Sequence, residues 1–128
     1  MNDVIHIDVA VMRDEKGNFG VGAEFLRIND PVKVASLFYD SSEFNSANRC
    51  LKAVLPELMR EADAKTVRFR SKMEQFKRHE HFQRSLAILA QQDGLTVFVS
   101  HRRKGLSINT KVLAFDALSR KESIVADI

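Results

Sequence analysis

Asp8 stands inside VIHIDVAVM, residues 4–12, a run otherwise made mostly of apolar and β-branched side chains. A carboxylate buried in such a strand is costly unless a cation, a metal or hydrogen-bond donors hold it. Carboxylates converging on it from other elements would form a hard-cation site of the Mg²⁺ type. The other residues with chemical capacity are Asp116 in FDALS, His101 ahead of Arg102, Arg103 and Lys104, the KRHEH run at 77–81, and Cys50. His79 and His81 are two apart, so on a helix they point to different faces, and Glu80 does not complete an HExxH pattern. Cys50 lies on an apolar stripe with no histidine beside it in sequence, which fits a small core residue better than a nucleophile. Asp116 reads as a solvated helix residue, and His101 as an exposed loop residue.

The elements that must position these groups follow from periodicity. Residues 4–12 form a strand, DEKGN at 14–18 supplies turn chemistry, and Phe19 to Ile28 returns as a hairpin partner. Asn29-Asp30-Pro31 marks the next turn, and Val32, Val34 and Leu37-Phe38-Tyr39 a third strand. A helix follows, capped at Ser42 or Asn45, with Ala47, Cys50, Leu51, Val54, Leu55, Leu58 and Met59 on one stripe. Pro56 inside it should bend or split it near Lys52 to Ala53.

Lys65 to Arg70 is a fourth strand in which Val67 and Phe69 alternate with Arg68 and Arg70. A helix over 72–92 carries Met73, Phe76, Phe82, Leu86, Ile88 and Leu89, bends near His79 to His81, and ends at Asp93-Gly94. Leu95 to Val99 is a short strand. Ile108, Val112, Leu113, Phe115 and Leu118 give a last helix, capped at Ser107 or Asn109. The order βββαβαβα implies a mixed five-stranded sheet, three antiparallel strands followed by parallel ones, with helices packed on it.

The chain has 128 residues, 45% hydrophobic and 29% charged, which fits one domain spanning 1–128 with its own core. No apolar run approaches the ~20 residues of a membrane span, and the start does not resemble a signal peptide. A single cysteine excludes an internal disulfide and suggests a reducing, cytoplasmic setting. The net charge of +3 permits nucleic acid as a partner without requiring it. Residues 65–84 concentrate Lys65, Arg68, Arg70, Lys72, Lys77, Arg78 and Arg84 against Glu74 and Glu80.

This order and these residues resemble the ribonuclease H-like fold along nearly the whole chain. IDVAV…GNFGVGAEF is similar to the family's first strand, which ends in an aspartate, and its glycine-rich hairpin. FNSANRCLKAVLPEL at 44–58 resembles its first helix. VRFRSKMEQF at 67–76 is similar to its fourth strand, and LTVFVSHRRKGLSINTKVLAFDALSR to its last strand, loop histidine and final helix. The resemblance implies two-metal phosphodiester hydrolysis, with carboxylates from the first strand, first helix, fourth strand and last helix around two Mg²⁺ ions about 4 Å apart.

Here the match supplies Asp8, then Arg49 or Cys50, then Arg70; in the last helix it falls on Leu113 unless a shifted match recovers Asp116. Arg70, with Arg49 as a second candidate, would neutralise Asp8 in a salt bridge on the former metal site, since a guanidinium repels a divalent ion there. The resulting expectation is a catalytically inactive domain with no cofactor, binding a nucleic-acid duplex or a nucleoprotein partner through a basic face. Arg68, Lys72, Lys77, Arg78, Arg84, Arg102, Arg103 and Lys104 would meet the phosphates. With no tryptophan and one tyrosine, a base-stacking platform is not expected.

Two alternatives stay open. One is a Mg²⁺-dependent nuclease with acids relocated to Asp8, Asp40 or Glu43, Glu74 and Asp116, the metal lying on Asp8 and Asp116. The other is a protein-interaction module or homodimer built on an edge strand or helix face.

Overall fold

A computed structural model describes residues 3–78 and 80–128, without the side chain of His81. The strands are β1 (Val4–Arg13), β2 (Phe19–Arg27), β3 (Asp30–Tyr39), β4 (Thr66–Ser71), β5 (Thr96–His101) and β6 (Ile124–Asp127). The helices are α1 (Ala47–Glu61), α2 (Glu80–Gln92) and α3 (Asn109–Arg120), with a 3₁₀ turn over Glu74–Arg78. All six strands join one sheet in the order β5-β4-β1-β2-β3-β6. β1, β2 and β3 are antiparallel neighbours, and β4 and β5 run parallel to β1. The expected mixed α/β sheet is present, with a sixth strand: β6 pairs antiparallel with β3.

Strand alternation divides the sheet into two unlike faces. Ile5, Ile7, Val9, Phe19, Val21, Phe25, Val67, Phe69, Val97 and Val99 belong to one hydrophobic core with the stripes of α1 and α2. Their neighbours His6, Asp8, Gly20, Gly22, Glu24, Arg68, Arg70 and Phe98 point the other way, and α3 lies on that side. α3 sits very close to the sheet: a methyl group at Gly22 would overlap the carbonyl oxygen of Thr110, and one at Gly20 that of Ala114.

That closeness corrects the expected orientation of the last helix. Its buried residues are Thr110, Ala114 and Ala117, whereas Ile108, Val112 and Phe115 are exposed. Large side chains cannot fit where two glycines draw the helix backbone onto the strand, so the small face turns inward.

Three further expectations are corrected. α1 runs unbroken through Pro56, because the buried residues on both sides of it, Cys50 to Leu55 and then Leu58 and Met59, are anchored in the core. Its cap is Ser46, whose hydroxyl accepts from the Arg49 N–H at 3.2 Å. The β2–β3 turn lies at Ile28 and Asn29, both at positive φ, one residue before the expected Asn-Asp-Pro. Replacing Gly22 by Ala should destabilise the protein by about 3 kcal/mol or more, the upper end of overpacking costs, measured by urea unfolding.

Candidate functional site

Register brings the decisive residues into one row. Asp8 lies opposite Glu24 on β2 and opposite Arg70 on β4, and Arg70 lies opposite Ser100 on β5. Arg70 Nε donates to Asp8 Oδ1 at 2.6 Å and Nη2 donates to Oδ2 at 3.1 Å, a two-pronged ion pair with Asp8 only 1% exposed. The Ser107 N–H, in the loop before α3, donates to the same Oδ2 at 2.8 Å. Charge-assisted contacts of this kind are the strong ones, and here they satisfy both oxygens. Glu24 is also buried, and its Oε2 accepts from the Asn109 side-chain amide at 3.0 Å.

The other expected members of this cluster lie elsewhere. α1 packs on the opposite face of the sheet, with Arg49 exposed at its start and Cys50 sealed in the core. Asp116 faces solvent on α3. His101 is half-buried, with Nε2 3.2 Å from the Lys72 carbonyl. Asp40 and Glu43 follow β3 at the end of the sheet marked by the β1–β2 turn, about 16 Å along β1 from Asp8. Glu74 is paired with Lys77 at 2.9 Å. His79 and the side chain of His81 lie outside the described residues.

Among the described residues no three His, Cys, Asp or Glu side chains are grouped to hold a metal. Two-metal chemistry needs oxygens free to face the ions. Both oxygens of Asp8 are taken by Arg70 and Ser107, and a guanidinium occupies the space beside them. These residues do not fit a pair of Mg²⁺ ions.

Beside this row, a cleft of about 460 Å³ opens between the ends of β1 and β4 and the first turn of α3. Its cations are Lys72, Arg103, Lys104 and Lys111, and no carboxylate lines it. Its floor includes Val9, Met12, Met73 and Leu106. Contact with Lys111, and then repulsion by its charge, lower the pKa of the Lys72 ammonium. The first turn of α3 contains no acid to offset its positive dipole end.

Lys111 and Glu24 were missed in the sequence reading. Glu24 interrupts the apolar β2 run, and counting the hairpin register back from the DEKGN turn would have set it opposite Asp8. The eight expected phosphate contacts divide by position. Lys72, Arg103 and Lys104 line the cleft, and Arg68 lies further along the same sheet face, with Arg102 in the loop after β5. Lys77 and Arg78 are on the 3₁₀ turn, and Arg84 is on α2, across the sheet.

The fold has close counterparts among solved structures. The N-terminal RNase H domain of a Mycobacterium tuberculosis protein, solved as a fusion with maltose binding protein, superposes with a TM-score of 0.60 over 93% of this chain and 96% of that one, at 14% identity. RNase H1 from the halophilic archaeon Halobacterium salinarum gives 0.60 over 91% and 98%, at 13% identity. The chain has a ribonuclease H-like fold. No family model and no curated protein matches the sequence. In this ribonuclease H-like sheet, no helix among the described residues is long and apolar enough to cross a membrane.

Removing Asp8 alone (Asp8→Ala) would strand a buried guanidinium and should cost about 3–5 kcal/mol in chemical denaturation. The double change Asp8→Leu with Arg70→Met should recover most of that loss. Burial, followed by the charges of Glu43 and Glu57, pushes the Cys50 thiol up to about 12. A thiol reagent at pH 8 should therefore leave Cys50 unmodified in the native protein and label it fully in denaturant.

Proposed function

We propose that this protein is a catalytically silent ribonuclease H-like domain that binds nucleic acid by its phosphate backbone. The observation that carries the reading is the cleft with four cations and no carboxylate in its lining, placed against the neutralised Asp8. Phosphate oxygens entering between Lys72 and Lys111 would relieve the repulsion that depresses the Lys72 ammonium. Backbone contacts of this kind favour charge and shape over sequence. Neighbours of this fold carry ribonuclease H names, which supports a nucleic-acid setting for it. The Asp8–Arg70 pair supports inactivity: it places a fixed positive charge and occupied oxygens where a metal-dependent hydrolase needs free ones.

Fluorescence anisotropy with labelled duplex DNA, duplex RNA, hybrid and single strands tests the reading. Affinity should fall with added salt, with a log–log slope of about −2 to −4 for three or four phosphate contacts, single strands at the shallow end. Lys72→Glu with Lys111→Glu should weaken every one of these by tenfold or more, while Mg²⁺ or Mn²⁺ should produce no cleavage. Absence of binding to all of them at low salt would remove the reading. Manganese-dependent cleavage that disappears in Asp8→Asn would overturn the silence.

A further inference from the structure

One row below the Asp8–Arg70 pair, the sheet is only partly covered: Leu26 is buried and His6 half-buried, whereas Arg68 and Phe98 are exposed. The contacts of Gly22 with Thr110 and of Gly20 with Ala114 fix the direction of α3, which starts at the level of Glu24 and runs toward the β1–β2 turn. The row beyond the start of α3 is Leu26, His6, Arg68 and Phe98, set side by side across β2, β1, β4 and β5. Strands lie about 4.8 Å apart, so the exposed Arg68 and Phe98 form a strip that His6 continues as a half-buried neighbour. Phe98 is 41% exposed, although Val97 and Val99 beside it are buried. The Arg68 guanidinium stands 4.5 Å from the centre of the Phe98 ring, within cation–π range. Among the described residues no carboxylate pairs with Arg68.

His6 completes the strip. Its Nδ1 is buried and has no hydrogen-bond partner in the protein. Burial first, and then the charges of Arg70, Arg68 and Arg102, lower its pKa against the opposing pull of Asp8. Its ring is thus a neutral planar group among three guanidiniums. Arg68 on β4 lies four residues before Lys72, the residue after the strand's end, which is about 13 Å at extended spacing.

We infer that this strip is a stacking step for an unpaired nucleobase, so that the nucleic acid held in the cleft is single-stranded where it crosses β4 and β5. The inference deepens the reading above and rests on it. Guanidinium and aromatic planes both stack bases, and every base has a π-face to offer, so the step tolerates any sequence. A base within a duplex is already stacked on both sides and cannot use it. The chemistry is shared by single-stranded DNA and RNA.

Oligothymidylate, oligouridylate and a base-free phosphodiester of equal length, each fluorescently labelled, separate the terms by anisotropy. Phe98→Ala should weaken both base-bearing strands by about fivefold or more, and leave the base-free polymer and a blunt duplex unchanged. Arg68→Lys, which keeps the charge and loses the plane, should act in the same direction. Circular dichroism confirms that each variant is folded, as Phe98 and Arg68 are both on the surface. If Phe98→Ala and Arg68→Lys leave strand binding intact while Lys72→Glu with Lys111→Glu abolishes it, the stacking step is overturned and the phosphate cleft stands. If the wild-type protein binds none of the probes, both fall. A preference of oligouridylate over oligothymidylate, lost in Phe98→Ala, would assign the strand as RNA.

Discussion

The ion pair between Asp8 and Arg70 ties together the elements that build the candidate site. It joins β1 to β4 at the centre of the sheet, and through the Ser107 N–H it fixes the loop that delivers α3. Desolvating two charges is expensive, and a buried pair is often no more stabilising than apolar residues of the same size. Its consequence is therefore geometric more than energetic. With Asp8 held from two sides, the loop from Arg102 to Ile108 lies against the strand ends, and Arg103, Lys104 and Lys111 are carried to the rim of one cleft. Glu24 adds a second buried carboxylate to the row, held by the Asn109 amide at the first residue of α3. The row thus locks the start of the helix as well as the loop.

The glycines of β2 are the packing counterpart of that lock. Gly20 and Gly22 admit the backbone of α3 to a distance at which no side chain fits, so the helix contributes Thr110, Ala114 and Ala117 to the contact. A helix seated this close has little freedom to slide, and the register of its first turn against Glu24 and Asp8 follows. The site is therefore set by three constraints that agree: strand register, glycine contact and the shared acceptor Asp8.

Much of this was legible in the residues. The alternation of Val67 and Phe69 with Arg68 and Arg70, and the turn at 14–18, were enough to place β1, β2 and β4, and the likeness of IDVAV and VRFRS to known strands set Asp8 against Arg70. What was not legible depended on contacts between distant elements. The apolar spacing of Ile108, Val112 and Phe115 points them inward until Gly20 and Gly22 are known to lie beneath the helix. Ile28 is an unlikely choice for a turn at positive φ, so the Asn-Asp-Pro signal drew the turn one residue too far. Phe98 reads as core within LTVFV, and only the limited reach of α3 leaves it uncovered. Ser46, one residue beyond the expected Asn45, caps α1 because the loop from Asp40 to Asn45 is ordered by its own contacts, such as the Glu43 carboxylate accepting from the Asp40 N–H.

The β5 edge narrows what can approach the exposed Arg68 and Phe98. At the β5 edge, the Gln83 amide donates to the Val97 carbonyl at 2.6 Å and accepts from the Val99 N–H at 2.8 Å, the two bonds a neighbouring strand would make. At the other side β3 is covered by β6, which is itself the exposed outer strand there. Capping the β5 edge with a side-chain amide suppresses strand addition beside Phe98, a common route of peptide capture and aggregation. Phe98 and Arg68 are thus offered through their planes and not through their backbone. In the proposed function, attraction of phosphates to the cleft would be long-ranged and weaken with salt, whereas stacking on an arginine–phenylalanine pair would be short-ranged and depend mostly on contact. In the proposed reading, with the two about 13 Å apart along the chain through β4, charge would bring a strand to the surface and the planar strip would select for bases that are free to stack.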